Sequence, residues 1–335
     1  MNDTVTLNDG SGGRQSARLI RKVFVRRFGI PLPLTDSAVL EEDGSLLAFT
    51  TDSYIVDPVF FPGGNIGKLA VCGTVNDLAV SGAVPMFISA SFIIEEGFPL
   101  DDLEQIAGSM AEEAENAGVR IVTGDTKVAG RGKCDRIFIT TAGIGRLKPQ
   151  FRSIGTGNKV RAGDRIIVNG SLGNHAVAIL GARHDLSFST QVVSDCASMN
   201  HLIQLVLKEC SEVHFMRDLT RGGLAAVLNE LAQMTGKGMT IDERSVPVDS
   251  VVRGLCETMG FDPLHLANEG KIAYVIGESD YMKALEVLRN HPLGSGSAVI
   301  GHITDVNPGS VRLITSAGGT RIMEPPSGML IPRIC

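Results

Sequence analysis

Residues Asn65 to Pro85 read NIGKLAVCGTVNDLAVSGAVP. Ile66, Leu69, Ala70, Gly73 and Asp77 share one helical face, and Val71, Val75 and Leu78 make other faces apolar too. The pattern predicts a helix with Asn65 as its N-cap and Pro85 just beyond its end. A helix that is hydrophobic nearly all round is buried. An ionised carboxylate at Asp77 therefore costs several kcal/mol unless a cation or metal pairs with it.

Three more carboxylates stand where a strand or its end is expected to be apolar. Asp52 ends SLLAFTTDS, Asp125 follows RIVTG, and Asp218 follows VHFM and one arginine. Any one alone reads as a strand-end or turn residue. Four together, each among Gly or Thr, point to a hard-cation site with oxygen ligands. Such a site suits Mg²⁺, which commonly bridges to substrate phosphates. Donors for phosphate are present as well. DLTRGGL places Gly222 and Gly223 directly before an amphipathic helix carrying Leu224, Val227, Leu228 and Leu231. Backbone N–H groups at such a helix start form an anion site. The cluster Gly10-Ser11-Gly12-Gly13 opens a further amphipathic pattern (Ala17, Leu19, Ile20, Val23, Phe24) in the same way. Each glycine cluster taken singly reads as a tight turn. A Walker A loop is absent around Lys68, and no GxGxxG follows a strand.

The 335 residues suggest about two domains. A formal charge of −6 argues against a nucleic-acid binder. No apolar run of about 18 residues suggests a membrane span, and the opening MNDTVTLNDGSGG does not read as a secretory leader. The six cysteines show no CxxC or metal-ligand spacing, so reduced thiols in the cytoplasm are expected. DDLEQIAGSMAEEAENAGV reads as a helix, RIVTGDTKV and RIFITTAGIG as strands. A basic, Gly-rich stretch at 146–164 marks the expected boundary between a domain of residues 1–150 and one of 151–324. Residues 325–335, with Pro325, Pro326 and Pro332, are expected to form a mobile tail ending in PRIC. Ten residues from Pro326 to Cys335 reach about 30 Å when extended.

TTDS, GTVNDLAVSGAVP, GDTKV, RDLTRGGL and ANEG occur in this order. The chain thereby resembles the aminoimidazole ribonucleotide synthetase-like ATP-binding superfamily, which includes selenophosphate synthetase and thiamine-monophosphate kinase. GSGG, GDTKV and the ending PRIC narrow the resemblance to the carbamoyl dehydratase family of hydrogenase maturation factors, from end to end. Asp9 stands where that family often carries histidine.

The resemblance implies an α/β (α+β) two-domain fold whose N-terminal sheets pair in a homodimer, with a flexible C-terminal tail. It implies ATP and Mg²⁺ as cofactors, and Asp52, Asp77, Asp125 and Asp218 as metal ligands. Gly12, Gly13, Asn76, Thr126, Gly222 and Gly223 join those aspartates at the nucleotide. A carbamoyltransferase partner would load Cys335, and the chain would dehydrate the S-carbamoyl group to a thiocyanate. An iron-carrying maturation scaffold would then accept the cyanide for a [NiFe] hydrogenase. Lys127 is the candidate for stabilising the transferring charge and Glu269 for taking the nitrogen proton. His175, His201 and His265 lack ligand spacing and read as structural. A kinase or synthetase with a free small substrate and a nucleotide-switched scaffold are the competing readings.

Overall fold

The computed structural model describes residues 4–10, 12–183, 190–326, 331 and 333–335. Ser11 of the first glycine cluster and Pro332 of the ending lie outside them. The first half is a five-stranded sheet in the order β1-β2-β7-β5-β6. Its strands are β1 (Ala38–Glu42), β2 (Ser45–Tyr54), β5 (Ala83–Glu95), β6 (Arg120–Ala129) and β7 (Ile137–Leu147); a small hairpin, β3 (Phe60–Phe61) and β4 (Gly64–Asn65), leads into the first long helix. Only the β5–β6 pair in this sheet is parallel. Period-two alternation decides its faces. Leu46, Ala48, Thr50 and Tyr54 of β2, with Ile137, Ile139 and Thr141 of β7, are buried on the helix side. Phe49 and Ile144 lie on the other side and remain exposed.

That helix side is covered by α3 (Ile66–Val80) and α4 (Leu100–Ala117), which follow two short N-terminal helices, α1 (Arg14–Leu19) and α2 (Arg26–Phe28). Every residue of α3 is buried except Lys68 and Asp77. Asn65 caps it, its side-chain oxygen accepting from the Gly67 and Lys68 N–H groups at 2.9 and 3.1 Å. Gly73 sits mid-helix because a Cβ there would lie 2.2 Å from the Tyr54 hydroxyl. The helix ends at Val80, earlier than Pro85 suggested: Gly82 turns the chain at φ +87°. Pro85 falls inside β5, next to a register shift against β7, where a missing N–H is tolerated.

The second half is a seven-stranded sheet in the order β14-β13-β10-β12-β8-β11-β9. Its strands are β8 (Arg165–Val168), β9 (Val213–Asp218), β10 (Gly238–Asp242), β11 (Ile272–Ile276), β12 (Ala298–Thr304), β13 (Val311–Ile314) and β14 (Thr320–Ile322). Helices α5 (Asn174–Ala182), α6 (Asn200–Glu209), α7 (Gly223–Thr235), α8 (Ser250–Met259) and α9 (Tyr281–Arg289) complete it. Leu224, Leu228 and Leu231 of α7 pack on one face, and Leu202, Val206 and Leu288 of α6 and α9 on the other. Covered on both faces, β9 and β11 are buried along their whole length.

A further apolar cluster joins the halves. Val71, Cys72 and Val75 of α3 belong to it with Ala176 and Ile179 of α5, and with Ile334 and Cys335. The ending expected as a mobile tail is thus docked at its tip in this structure, with Ile334 and Cys335 buried. The division expected at residue 150 falls in a short 3₁₀ turn, Pro149–Phe151, between the two sheets, and we retain it as a proposal. The amphipathic pattern after the first glycine cluster is helical, with a π-helical segment at Ile20–Val25 between α1 and α2. Its apolar residues Ile20, Val23 and Phe24 stay exposed rather than entering a core. Among the described residues no helix is long and apolar enough to cross a membrane.

Candidate active site

Carboxylates from three places in the chain converge between the two halves. Oxygens of Asp36, Asp77 and Asp218 lie within 4.8 Å of one another. Asp77 projects from the buried helix α3, Asp218 ends β9, and Asp36 precedes β1. Asp52, on the helix side of β2, lies close to Asp77 and accepts from the Tyr54 hydroxyl at 3.2 Å. The Thr50 hydroxyl donates to Asp77 Oδ2 at 2.7 Å. Burial, then the neighbouring carboxylates, push Asp77 and Asp218 well above the usual carboxylate range. Burial raises Asp36 and Asp52 as well. The adjacent cations are Arg217, which pairs with Asp36 at 3.1 Å and Glu230 at 2.9 Å, and Arg221, whose charge reaches Asp52. Two guanidinium groups, one of them shared with Glu230, cannot offset Asp36, Asp52, Asp77 and Asp218 together. A divalent hard cation fits the donor set by charge and by ligand chemistry.

Both glycine clusters flank this group. Gly222 and Gly223, at φ +85° and +57°, open α7 immediately after Asp218 and Arg221. A Cβ on Gly223 would meet the Leu266 carbonyl oxygen at 2.4 Å, so the loop closes only with glycine. Gly12 packs against the Arg221 side chain, and a Cβ on Gly13 would meet the Pro326 carbonyl oxygen at 2.6 Å. Arg221 in turn donates to the Gly10 carbonyl. The two clusters, joined by an Arg221–Gly10 hydrogen bond across 211 positions, thus form neighbouring walls.

The terminal residue sits beside these walls. Its charge and a hydrogen bond to it raise Arg221 further. Glu269, 3% exposed, also feels that charge, and its Oε1 has no hydrogen-bond partner among the described residues. Burial first, then Cys335, Cys196, Asp218 and Asp195, hold the Glu269 carboxyl well above its ordinary value. The raised value makes its carboxylate a stronger base than that of an exposed glutamate. Its backbone N–H donates to Asp195 Oδ1 at 3.2 Å, and Asp195 pairs with Lys271 at 3.0 Å. The tip of the chain is held by backbone contacts. Asp57 N–H donates to the Arg333 carbonyl at 3.0 Å, the Arg183 guanidinium reaches the same oxygen at 3.2 Å, and Arg333 pairs with Asp135. Arg333 adopts φ +53°, an uncommon value for a residue with a Cβ.

Three expected site residues are not brought to the cluster. Asp125, Thr126 and Lys127 lie on β6, the exposed edge of the first sheet. Asp125 pairs in register with Ser91, and Ser91 with Thr140, on the open face. Asp52 aligns instead with Thr141 on the helix face. Asp125 is therefore three strands away from Asp52, roughly 14 Å, and on the opposite face. It pairs with Lys127 at 2.8 Å. Within one chain, Asp36 takes the place expected for Asp125. Asn76 is close by but buried, its N–H groups donating to the Ala197 and Glu269 carbonyls and its oxygen accepting from Met199 N–H at 2.7 Å. It positions the Glu269 segment rather than offering a free amide to a nucleotide. Asp9 accepts from the Thr6 N–H and hydroxyl, closing a local turn.

Sequence reasoning missed Asp36, Arg217 and Asn268, and read His175 as structural. Asn268 accepts from the Gly173 N–H at 2.7 Å and donates to the Leu219 carbonyl at 3.0 Å, tying ANEG to the DLTRGG loop. Its place in ANEG was the available signal. Asp36 sits in an aperiodic loop and gave none.

The chain matches the AIR synthase related protein N-terminal domain over residues 34–147 and the corresponding C-terminal domain over residues 161–314. It is 50% identical to the carbamoyl dehydratase HypE of Rhodobacter capsulatus, over 99% of this chain and 98% of that protein. Its fold is similar to the hydrogenase maturation protein HypE crystallised in complex with ATP, with a TM-score of 0.83 and 45% identity over 99% of this chain and all of that one. A chain in the crystal structure of a HypE–HypF complex gives a TM-score of 0.86 and 45% identity, covering 92% of this chain and 99% of that chain.

Proposed function

From the premise that the chain belongs to the carbamoyl dehydratase HypE family of hydrogenase maturation, we propose that it dehydrates an S-carbamoyl group carried on its own Cys335. The product is a thiocyanate, and ATP is converted to ADP and phosphate. The observation that carries this reading is the placement of Cys335, docked at the edge of the carboxylate cluster beside Arg221 and Glu269, whose Oε1 has no hydrogen-bond partner among the described residues. A carbamoyltransferase loads the thiol, and the HypE–HypF complex formed by a relative supports such a partner. An iron-carrying scaffold receives the nitrile. The cytoplasm is the proposed compartment, where thiols stay reduced.

Amide oxygen is a poor leaving group, so the reaction needs phosphate in its place. The carbamoyl oxygen attacks the γ-phosphorus, the bond to ADP breaks, the first nitrogen proton passes to solvent, and an imino-phosphate forms. Glu269 takes the remaining nitrogen proton as phosphate departs with the oxygen, leaving S–C≡N. Gly12, Gly13, Gly222 and Gly223 allow backbone N–H groups to approach the phosphates. Asp36, Asp52, Asp77 and Asp218 would hold Mg²⁺, which supplies charge neutralisation for the triphosphate. Positioning and electrostatics supply most of the acceleration in such a transfer. The deciding experiment is intact-protein mass spectrometry of the carbamoylated chain with ATP. Loss of one water's mass supports the dehydratase; an unchanged mass supports a nucleotide-switched scaffold instead.

Asp125 and Lys127 enter the same proposal through a second copy of the chain. β6 is an edge strand exposed along almost its whole length, with apolar Val122 and Val128 among its exposed residues. Edges of this kind are normally covered. Pairing the open faces of two copies in a homodimer would cover them and bring Asp125, Thr126 and Lys127 to the interface. Sedimentation equilibrium at micromolar concentration is expected to give twice the 35.5 kDa chain mass. A clean monomer would rule this arrangement out.

A further inference from the structure

One buried histidine touches the segment that carries the reacting thiol. His175, the second residue of α5, is fully buried and packs edge-on against the Phe61 ring. Its Nε2 lies 2.7 Å from the carbonyl oxygen of Ile334, the residue bonded to Cys335. Its Nδ1 lies 2.8 Å from Ser194 Oγ, which also accepts the Cys196 N–H at 3.1 Å. A carbonyl oxygen only accepts, so Nε2 must carry hydrogen. Burial lowers the His175 pKa and favours the neutral ring, so Nδ1 accepts the Ser194 hydroxyl hydrogen. Each hydrogen then has one place: Cys196 N–H to Ser194, Ser194 O–H to Nδ1, and Nε2–H to Ile334.

The far end of this relay reaches the acid–base group. Asp195, between Ser194 and Cys196, accepts the Glu269 N–H at 3.2 Å. Its carbonyl oxygen would lie 2.0 Å from a Cβ on Gly270, so the two segments are in close backbone contact. One short segment, Ser194 to Cys196, thus meets the histidine ring through Ser194 and the Glu269 backbone through Asp195.

We propose that His175 is a positioning residue for the dehydration, seating the terminal backbone so that the thiocarbamate on Cys335 rests against Glu269. His175 does not touch the reacting atoms; it holds the carbonyl one residue away, and Ser194 holds its ring. This rests on the reading that Cys335 carries the substrate. A histidine that merely filled space beside Phe61 would be indifferent to whether the terminus is docked.

Two measurements separate these possibilities. The first needs no chemistry at the site: the rate at which iodoacetamide alkylates Cys335 in the unloaded protein, read on the C-terminal peptide. His175→Ala is expected to be alkylated about tenfold faster than the parent, the scale of one lost buried hydrogen bond. His175→Gln retains a side-chain N–H able to reach Ile334 and should fall back toward the parent rate. Ser194→Ala frees the ring without removing it and should lie between. The second is single-turnover dehydration of carbamoylated protein. The rate at saturating ATP should fall about tenfold in His175→Ala, while the half-saturating ATP concentration stays unchanged. Parent-like alkylation in both His175→Ala and Ser194→Ala would overturn the proposal. So would a raised half-saturating ATP concentration with the saturated rate intact. If the parent itself formed no thiocyanate, the dehydratase reading would fail and the alkylation rates would still decide whether His175 seats the terminus. Should His175→Ala not fold, His175→Gln and Ser194→Ala carry both measurements.

Discussion

Cys335→Ala is expected to abolish both carbamoylation and thiocyanate formation while leaving a folded, ATP-binding protein. Only the sulfur at this position can carry the one-carbon unit to Glu269, because the terminus is docked with its last residue beside that carboxyl. The side chain is 9% exposed and belongs to the cluster that joins the halves. Its truncation therefore costs about 1 kcal/mol of packing, whereas a wholly mobile tail would have lost nothing. Cys335→Ser keeps an oxygen, but a hydroxyl is a far weaker nucleophile than a thiol. Cys72, Cys134, Cys196, Cys210 and Cys256 should each be replaceable without loss of product. Burial pushes the Cys72 thiol well up and raises Cys210 and Cys256 to about 11, so these stay protonated and unreactive. The readout is peptide mass spectrometry after incubation with the loading enzyme, carbamoyl phosphate and ATP. A cyano adduct on any of those five, with none on the C-terminal peptide, would falsify the mechanism.

The parts of the site legible in the sequence were those that broke a pattern. Asp77 stood out because everything around it on α3 is apolar, and the helix is indeed buried at every residue but Asp77 and Lys68. Gly222 and Gly223 stood out because they interrupt a strand-to-helix passage, and both take positive φ. Asp125 shows the limit. It carries the same local signature as Asp52, a carboxylate beside Gly or Thr in a strand. Which face such a residue occupies depends on strand register and on which strand ends the sheet, and these are properties of the whole chain. Asp36 went unnoticed, and His175 read only as structural, for the opposite reason. Neither breaks a pattern: Asp36 lies in a loop, IPLPLTDS, without helix or strand period, and His175, near the start of a short helix, meets Ile334, 159 positions away. The tail was read from its prolines, which exclude helix and central strand but leave docking through backbone carbonyls open. Those carbonyls, of Arg333 and Ile334, are what His175, Asp57 and Arg183 hold.

The second large effect is at Asp77, and it has two signs. Asp77→Asn nearly preserves shape, and its side-chain oxygen can still accept from Thr50, which now donates to Asp77 Oδ2 at 2.7 Å. Dehydration and ATP turnover should nevertheless fall about 100-fold or more, since losing even an outer-shell partner of a metal costs 10- to 100-fold. Stability of the metal-free protein should move the other way. The folded-state pKa of Asp77 is raised by burial and by Asp52, Asp218 and Asp36. A carboxyl raised in this way favours the folded state only while protonated. Its contribution is lost as pH climbs from the unfolded value of about 3.9 through the raised folded value, and at neutral pH it is a net cost. Asparagine removes that charge, so the metal-free variant should gain on the order of 1 kcal/mol at pH 7 and lose part of the decline in stability above pH 4. Added Mg²⁺ should stabilise the parent and have little effect on the variant, because the ion's gain comes from relieving this repulsion. Thermal denaturation at pH 5 and pH 7, with and without Mg²⁺, reads all three expectations together. Equal Mg²⁺ stabilisation of parent and Asp77→Asn, or an undiminished turnover, would show that the cation is held elsewhere and that the carboxylates between the two sheets serve another purpose.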